Sequence, residues 1–307
     1  MKSITGIPKY FLPNLGMGWL TVLMMLPSSI FAVLVVVLLN VALYGKVSES
    51  LFDSGGGPLL YALCMFFPIL FVFIMGIVRR RNPLVAPVKI NQPHFGKVNP
   101  LILGVILIVL LTAVGWMIAP VSDLIEIPDV FKKMFENIRT DTFSIFLTTA
   151  FMAPIIEEFL CRGVLARGLY ATSSPTSGIV WSAIMFSVMH LNLYQMLSAF
   201  VAGLLFAWIY YRTHSIWIVI FGHFMVNASS LTMAYIYPEY SLMSSKEYII
   251  HETGNVVWYW ILFAGGTIIT VALIALLNKL LPKNITSFTP QPVIIASKED
   301  NANLTSV

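Results

Sequence analysis

What most restricts this chain is a set of eight long apolar runs, at roughly 19–44, 58–78, 99–119, 142–171, 177–194, 196–212, 215–234 and 256–281. In helical conformation, about 17 to 25 apolar residues cross a hydrocarbon core of about 30 Å. With 58% hydrophobic and only 10% charged residues, and a mean hydropathy of +0.85, the chain lies outside the composition of a water-soluble domain. The runs are too long and too evenly apolar for barrel strands, and an open sheet edge finds no hydrogen-bond partner in lipid. The expected fold is all-α: a polytopic membrane protein of about eight transmembrane helices. The first run starts late and lacks a small-residue cleavage site, so it reads as a retained anchor rather than a leader.

Basic residues give the orientation, because translocation tends to leave them in the cytoplasm. With the N-terminus inside, thirteen of the 18 lysines and arginines fall on the cytoplasmic side, including Arg79, Arg80, Arg81, Lys89, Lys97, Arg167, Arg212 and Lys279. Lys46, Lys132, Lys133, Arg139 and Lys246 fall outside. Both termini are therefore expected in the cytoplasm, with the protein integral to a cell (plasma) membrane. The net charge of +4 reports this topology. No long basic run is interleaved with aromatics, so nucleic acid is not an expected partner. Cys64 and Cys161 lie within or at the end of apolar spans and read as small hydrophobes, not as a disulfide pair.

Composition shifts most sharply after the third run. Residues 1–140 read as a three-helix membrane scaffold with an external loop. Its spans contain Pro27 and Pro68 but no acid and no histidine. Within it, VSDLIEIPDVFKKMFENIRTD (121–141) is amphipathic and reads as a loop with a short surface helix. Residues 141–235 read as a separate core segment, and 236–282 as an external loop with the last transmembrane helix. Residues 283–307, rich in Ser, Thr, Asn and Pro, read as a mobile cytoplasmic tail without a lipidation box.

Against this background the stretch APIIEEFLCRG (153–163) is costly. Of the 14 acidic residues only Glu157 and Glu158 lie inside a span. Of the 5 histidines, His190 and His223 lie within the fifth and seventh spans, while His94, His214 and His251 sit in loops. Ionisable groups at mid-membrane are expensive to insert and mark function by default. A lone intramembrane histidine is more often a helix–helix hydrogen-bond partner, and Phe186 reads as packing. At about 1.5 Å of rise per residue, Glu157 lies roughly 22 Å from the helix end near 172, and His190 about 20 Å from the helix start near 177. Counted from 214, Asn227 is roughly 19 Å and His223 about 14 Å deep. All four side chains can meet near mid-membrane.

Spacing on each helix agrees. His223 and Asn227, four apart, share a face. Glu158 and Arg162 are four apart in the order that favours an ion pair, whereas Glu157 is turned about 100° away. The expected division of labour has Arg162 holding Glu158 and Glu157 free to act. Pro154 removes a helix hydrogen bond and is expected to kink the span beside Glu157. A buried carboxylate can take a proton from water, and His190 can share that task. His223 and Asn227 can donate to the oxyanion that forms on an attacked amide carbonyl.

In order, EEFLCR (Glu157, Glu158, Arg162), FSVMH (Phe186, His190) and HFMVN (His223, Asn227) resemble the three motifs of the CPBP intramembrane proteases. That family includes the CAAX prenyl endopeptidases and bacterial relatives linked to bacteriocin processing and self-immunity. The resemblance covers about 90 residues, 142–232. It implies a bundle with an intramembrane cavity and peptide-bond hydrolysis by water, activated by Glu157 and His190. It places His223 and Asn227 at the oxyanion, with Glu158 and Arg162 in support. Two routes stay open for the cofactor. Glu157, His190 and His223 are enough ligands for a catalytic zinc with an open position, while a metal-free glutamate–histidine route accounts better for Asn227. The implied partners are a peptide or membrane-protein substrate and the lipid bilayer. A proton-coupled transporter is the rival class, since buried glutamates and histidines also build proton relays; no repeated halves are visible to support it. A non-catalytic immunity or scaffold protein is the third reading.

Overall fold

The computed structural model describes residues 6–45, 57–82, 86–136, 138–283 and 288. The expected tail beyond Lys283 lies outside the described residues, Phe288 excepted. Helices account for the architecture: α1 (Leu15–Leu23), α2 (Met25–Tyr44), α3 (Gly57–Cys64), α4 (Phe66–Arg80), α5 (Pro100–Ser122) and α6 (Asp129–Glu136) precede one long broken span, Thr142–Thr172. That span contains α7 (Thr142–Phe146), α8 (Ala153–Glu158) and α9 (Arg167–Thr172). After it come α10 (Pro175–Val188), α11 (Leu193–Thr213), α12 (Ile216–Ile236), α13 (Ser245–Thr253) and α14 (Val257–Leu280). Among the described residues there is no strand, and the chain is an all-α polytopic membrane protein.

Seven helical spans among the described residues are long and apolar enough to cross a bilayer, one fewer than the sequence runs suggest. The fifth run is where they differ. Helix α10 has 14 residues, about 21 Å at 1.5 Å per residue, and it stops before His190. Leu191 takes a left-handed backbone at φ 54°, and Asn192 caps α11 by accepting the Gln195 N–H at 2.9 Å. The chain therefore reverses after a helix shorter than the hydrocarbon core of about 30 Å.

The first two spans are each broken near a proline. Pro27 and Pro68 fall in the first turns of α2 and α4, where a missing N–H costs little. Ser28 joins the two breaks. Its hydroxyl donates to the Leu63 carbonyl at 2.7 Å and accepts the Phe67 N–H at 3.1 Å, so a side chain from one helix is inserted into the hydrogen-bond ladder of the other.

Two apolar clusters fill the interior. One joins α5, α11, α12 and α14 through Leu103, Leu107, Leu110, Phe206, Val219 and Leu277. The other joins α1, α4 and α10 to the long span through Val22, Val72, Leu160, Val164, Leu165 and Met185. At one end of the bundle Asp123 accepts the N–H groups of Ser245 and Lys246, capping α13, and the hydroxyl of Tyr259. Arg139 there donates to the carbonyls of Tyr235 and Ile236, closing α12. At the other end two buried arginines, Arg167 and Arg212, bind backbone carbonyls of neighbouring segments.

Candidate active site

The site is built on the Thr142–Thr172 span, whose backbone twice leaves the α register. Leu147–Met152 and Phe159–Ala166 are π-helical, with the α8 turn between them. Such segments recur at functional positions of helices. The first has a cause in the sequence. The Ala153 N–H bonds to the Thr148 carbonyl, five residues back. In that register the Thr149 carbonyl would be met by residue 154, a proline with no N–H. Asn227 supplies the missing donor: its Nδ2 reaches the Thr149 oxygen at 2.8 Å.

Glu157 and Glu158 leave α8 in different directions. Glu158 is fully buried, and its Oε1 accepts from Arg162 Nη1 at 2.7 Å and from His223 Nδ1 at 2.9 Å. Arg162, equally buried, also donates to the Gly203 carbonyl at 3.1 Å and lies 4.4 Å over the Phe186 ring. Gly203 also lets α11 pack closely on α10, since a Cβ there would stand 3.1 Å from Ala183 Cα. His223 is stacked on Phe206 at 5.8 Å and meets Phe186 edge-on at 5.7 Å. An ionised carboxylate can only accept, so Nδ1 of His223 carries a proton and Nε2 is the nitrogen it presents elsewhere.

That nitrogen lies 4.0 Å from Glu157 Oε2. The gap is too wide for a direct hydrogen bond and suits one bridging water oxygen. The other carboxylate oxygen, Oε1, accepts from the Tyr61 hydroxyl at 2.9 Å. Glu157 is 9% exposed and His223 7%, so the two groups face each other away from bulk water.

His190 stands in the turn after α10, not within a helix. Its Nδ1 donates to the Phe186 carbonyl at 2.9 Å, which leaves Nε2 as the acceptor of a neutral ring. Asn192 holds the turn by donating to the His190 carbonyl at 2.7 Å. Phe186 lies against both imidazoles, 5.1 Å from the ring of His190. Among the described residues His190 makes no direct hydrogen bond or ion pair to Glu157. A cavity of about 240 Å³, lined by residues including Phe135, Tyr194, Ser230, Ala234 and Tyr240, opens at the end away from Arg167 and Arg212. Tyr194 follows His190 by four residues, across the turn into α11, and Ser230 is one helical turn beyond Asn227.

Residues 139–229 match the family model of the Rce1-like proteins, described as type II CAAX prenyl endopeptidase Rce1-like. Over this segment, about 30% of its length, the chain is similar to the CPBP family of intramembrane proteases. A stretch of 87 residues is 30% identical to the protein named "Putative membrane peptidase YdiL" of Bacillus subtilis (strain 168), covering 28% of this chain and 36% of that one. The chain thus spans about a third of the length of the curated relative it matches. No solved structure matches it significantly.

Within this matched segment the structure joins Glu157, Glu158, Arg162 and His223 in one contact network, and sets His190 and Asn227 beside it through Phe186 and the Thr149 carbonyl. Sequence reasoning missed Tyr61, which comes from a span read as scaffold. The one signal was a phenol in an apolar run, a group that needs a partner when buried. Zinc was one sequence alternative. Among the described residues no group of three or more His, Cys, Asp or Glu is placed to hold a metal ion, so Glu157, His190 and His223 do not form a three-ligand set.

Proposed function

We propose that this chain is an intramembrane endopeptidase in which Glu157 activates water. The observation that carries the reading is Glu157 Oε2 facing His223 Nε2 at 4.0 Å, each group fixed from behind, by Tyr61 and by Glu158 respectively. A water held between them gives a proton to Oε2 as its oxygen attacks the amide carbonyl. The new C–O bond leaves negative charge on the carbonyl oxygen. A protonated His223, with Glu158 as its counter-ion, and the second amide hydrogen of Asn227 donate to that oxyanion. Glu157 then returns the proton to the amide nitrogen, the C–N bond breaks, and an acid and an amine leave. His190 offers Nε2 as a second acceptor for the water proton.

The substrate this site asks for is a peptide or membrane-protein segment presented in lipid, reaching the site through the cavity beyond Asn227 and His190. The end of the bundle carrying Arg167, Arg212 and Lys279 faces the cytoplasm in this reading, as the distribution of basic residues favours, and both termini lie there, in the plasma membrane.

The test is Glu157→Gln in proteoliposomes, assayed on a pool of lipid-anchored, internally quenched peptides. Cleavage is expected to fall by about 10²- to 10⁴-fold, the span of general-base catalysis, with unchanged circular dichroism. Full activity in that variant removes Glu157 from the reaction. Elemental analysis for zinc, with rates before and after chelator treatment, separates the metal-free route from the zinc route.

A further inference from the structure

We propose that Tyr61 is a positioning residue for Glu157, so that the first helical hairpin, outside the matched segment 139–229, completes the site; its catalytic consequence rests on the protease reading, while the contact itself does not. Three independent features of the hairpin converge on this phenol. The first is the hydrogen bond from Tyr61 to Glu157 Oε1 at 2.9 Å. In lipid a hydroxyl has no water to turn to, so this bond is the way its polarity is met.

The second is the break just after it. Helix α3 ends at Cys64, and Ser28 is wedged between the Leu63 carbonyl and the Phe67 N–H. The short helix carrying Tyr61 is thereby set off from α4 and anchored to α2. The third is at its other end. A Cβ on Gly57 would stand 3.2 Å from Ser144 Oγ and 3.4 Å from Thr148 Oγ1, so glycine lets α3 lie close against the span that carries Glu157. Between these two anchors the Tyr61 ring packs on the cluster that includes Leu160 and Cys161.

The effect is to make the two oxygens of Glu157 inequivalent. Oε1 is occupied by the phenol, and Oε2 is left facing His223. A carboxylate free to rotate would present either oxygen; one pinned from behind presents a single basic atom in a fixed direction.

The experiment uses the full chain in detergent micelles and in proteoliposomes. Tyr61→Phe removes one oxygen and keeps the ring packing. First, Glu157 is labelled with dicyclohexylcarbodiimide, which attacks buried carboxyl groups, and the modified peptide is quantified by mass spectrometry. Labelling at Glu157 is expected to be roughly tenfold faster in Tyr61→Phe, the factor carried by a hydrogen bond to a charged group. Unchanged or slower labelling overturns the proposal. Second, on the quenched-peptide pool, kcat is expected to fall by about ten- to a hundredfold with KM unchanged, as for a displaced catalytic group. A raised KM with unchanged kcat overturns it, because Tyr61 would then bind substrate. If the native chain cleaves nothing in the pool, the protease reading falls, and the labelling rates still decide whether Tyr61 holds the carboxylate.

Discussion

Arg162 and Arg167 stand five residues apart in one helical span, both fully buried, and they satisfy their charge in opposite ways. Arg167 meets only backbone: Nε donates to Gly163 at 2.6 Å, and the two terminal nitrogens reach the carbonyls of Pro8, Lys9, Phe11 and Val88. Arg212 repeats the pattern, binding the carbonyls of Asn278, Leu281 and Pro282 and the Asn278 side chain. Arg162 instead shares a carboxylate with an imidazole. Guanidinium and peptide carbonyl do not exchange protons at ordinary pH, so the first arrangement is a clamp that ties distant segments together. The second instead brings a guanidinium, a carboxylate and an imidazole together inside the bundle, beside Glu157. One residue type thus serves the bundle end as a clamp on backbone and, in the proposed mechanism, its interior as a support for chemistry.

The comparison can be broken at either end. The largest effect is expected from Arg167→Met. It strands five buried carbonyls, each costing about 1–3 kcal/mol when unpaired, and the variant should give no folded, monodisperse protein by size-exclusion chromatography. Arg162→Met should cost about 3–5 kcal/mol by taking the guanidinium from a buried carboxylate and leaving Glu158 only the His223 imidazole. Adding Glu158→Gln in the same chain should recover most of that loss in thermal unfolding. A double variant as unstable as the single one would make Arg162 another carbonyl clamp, acting through Gly203, and the distinction would collapse.

A smaller effect sharpens the same contrast at the Arg212 end. His214, in the turn between α11 and α12, is 2% exposed. Burial lowers its pKa from the usual 6.5 to about 4, against the opposing pull of its hydrogen bond to the Lys89 carbonyl. The folded chain resists a proton that the unfolded chain accepts, so stability is complete above pH about 6.5 and declines as the pH falls toward about 4, by up to about 3 kcal/mol. Melting temperatures across that range should show the decline. His214→Asn, which tolerates the left-handed backbone at φ 47°, should flatten it.

Much of this molecule is legible in its sequence, for physical reasons that differ by element. Long apolar runs announce membrane helices because lipid leaves few alternatives. The i, i+4 spacing of Glu158 and Arg162 puts them within reach whatever else happens nearby. What escaped depends on contacts between distant segments. The π register before Pro154 and its repair by Asn227 join residues 78 positions apart. The stop after Val188 hides in an apolar run, with Asn192 as its sole local cue. Tyr61 reaches across 96 positions to Glu157, and no periodicity encodes that.

The short helix α10 carries a last consequence. Gly178, Ser182, Ala183, Met185, Phe186 and Ser187 of its 14 residues are buried, so it ends inside the bundle and His190 rides on a turn. The imidazole's position is therefore set by a capping side chain and a carbonyl, Asn192 and Phe186, and not by a helix register.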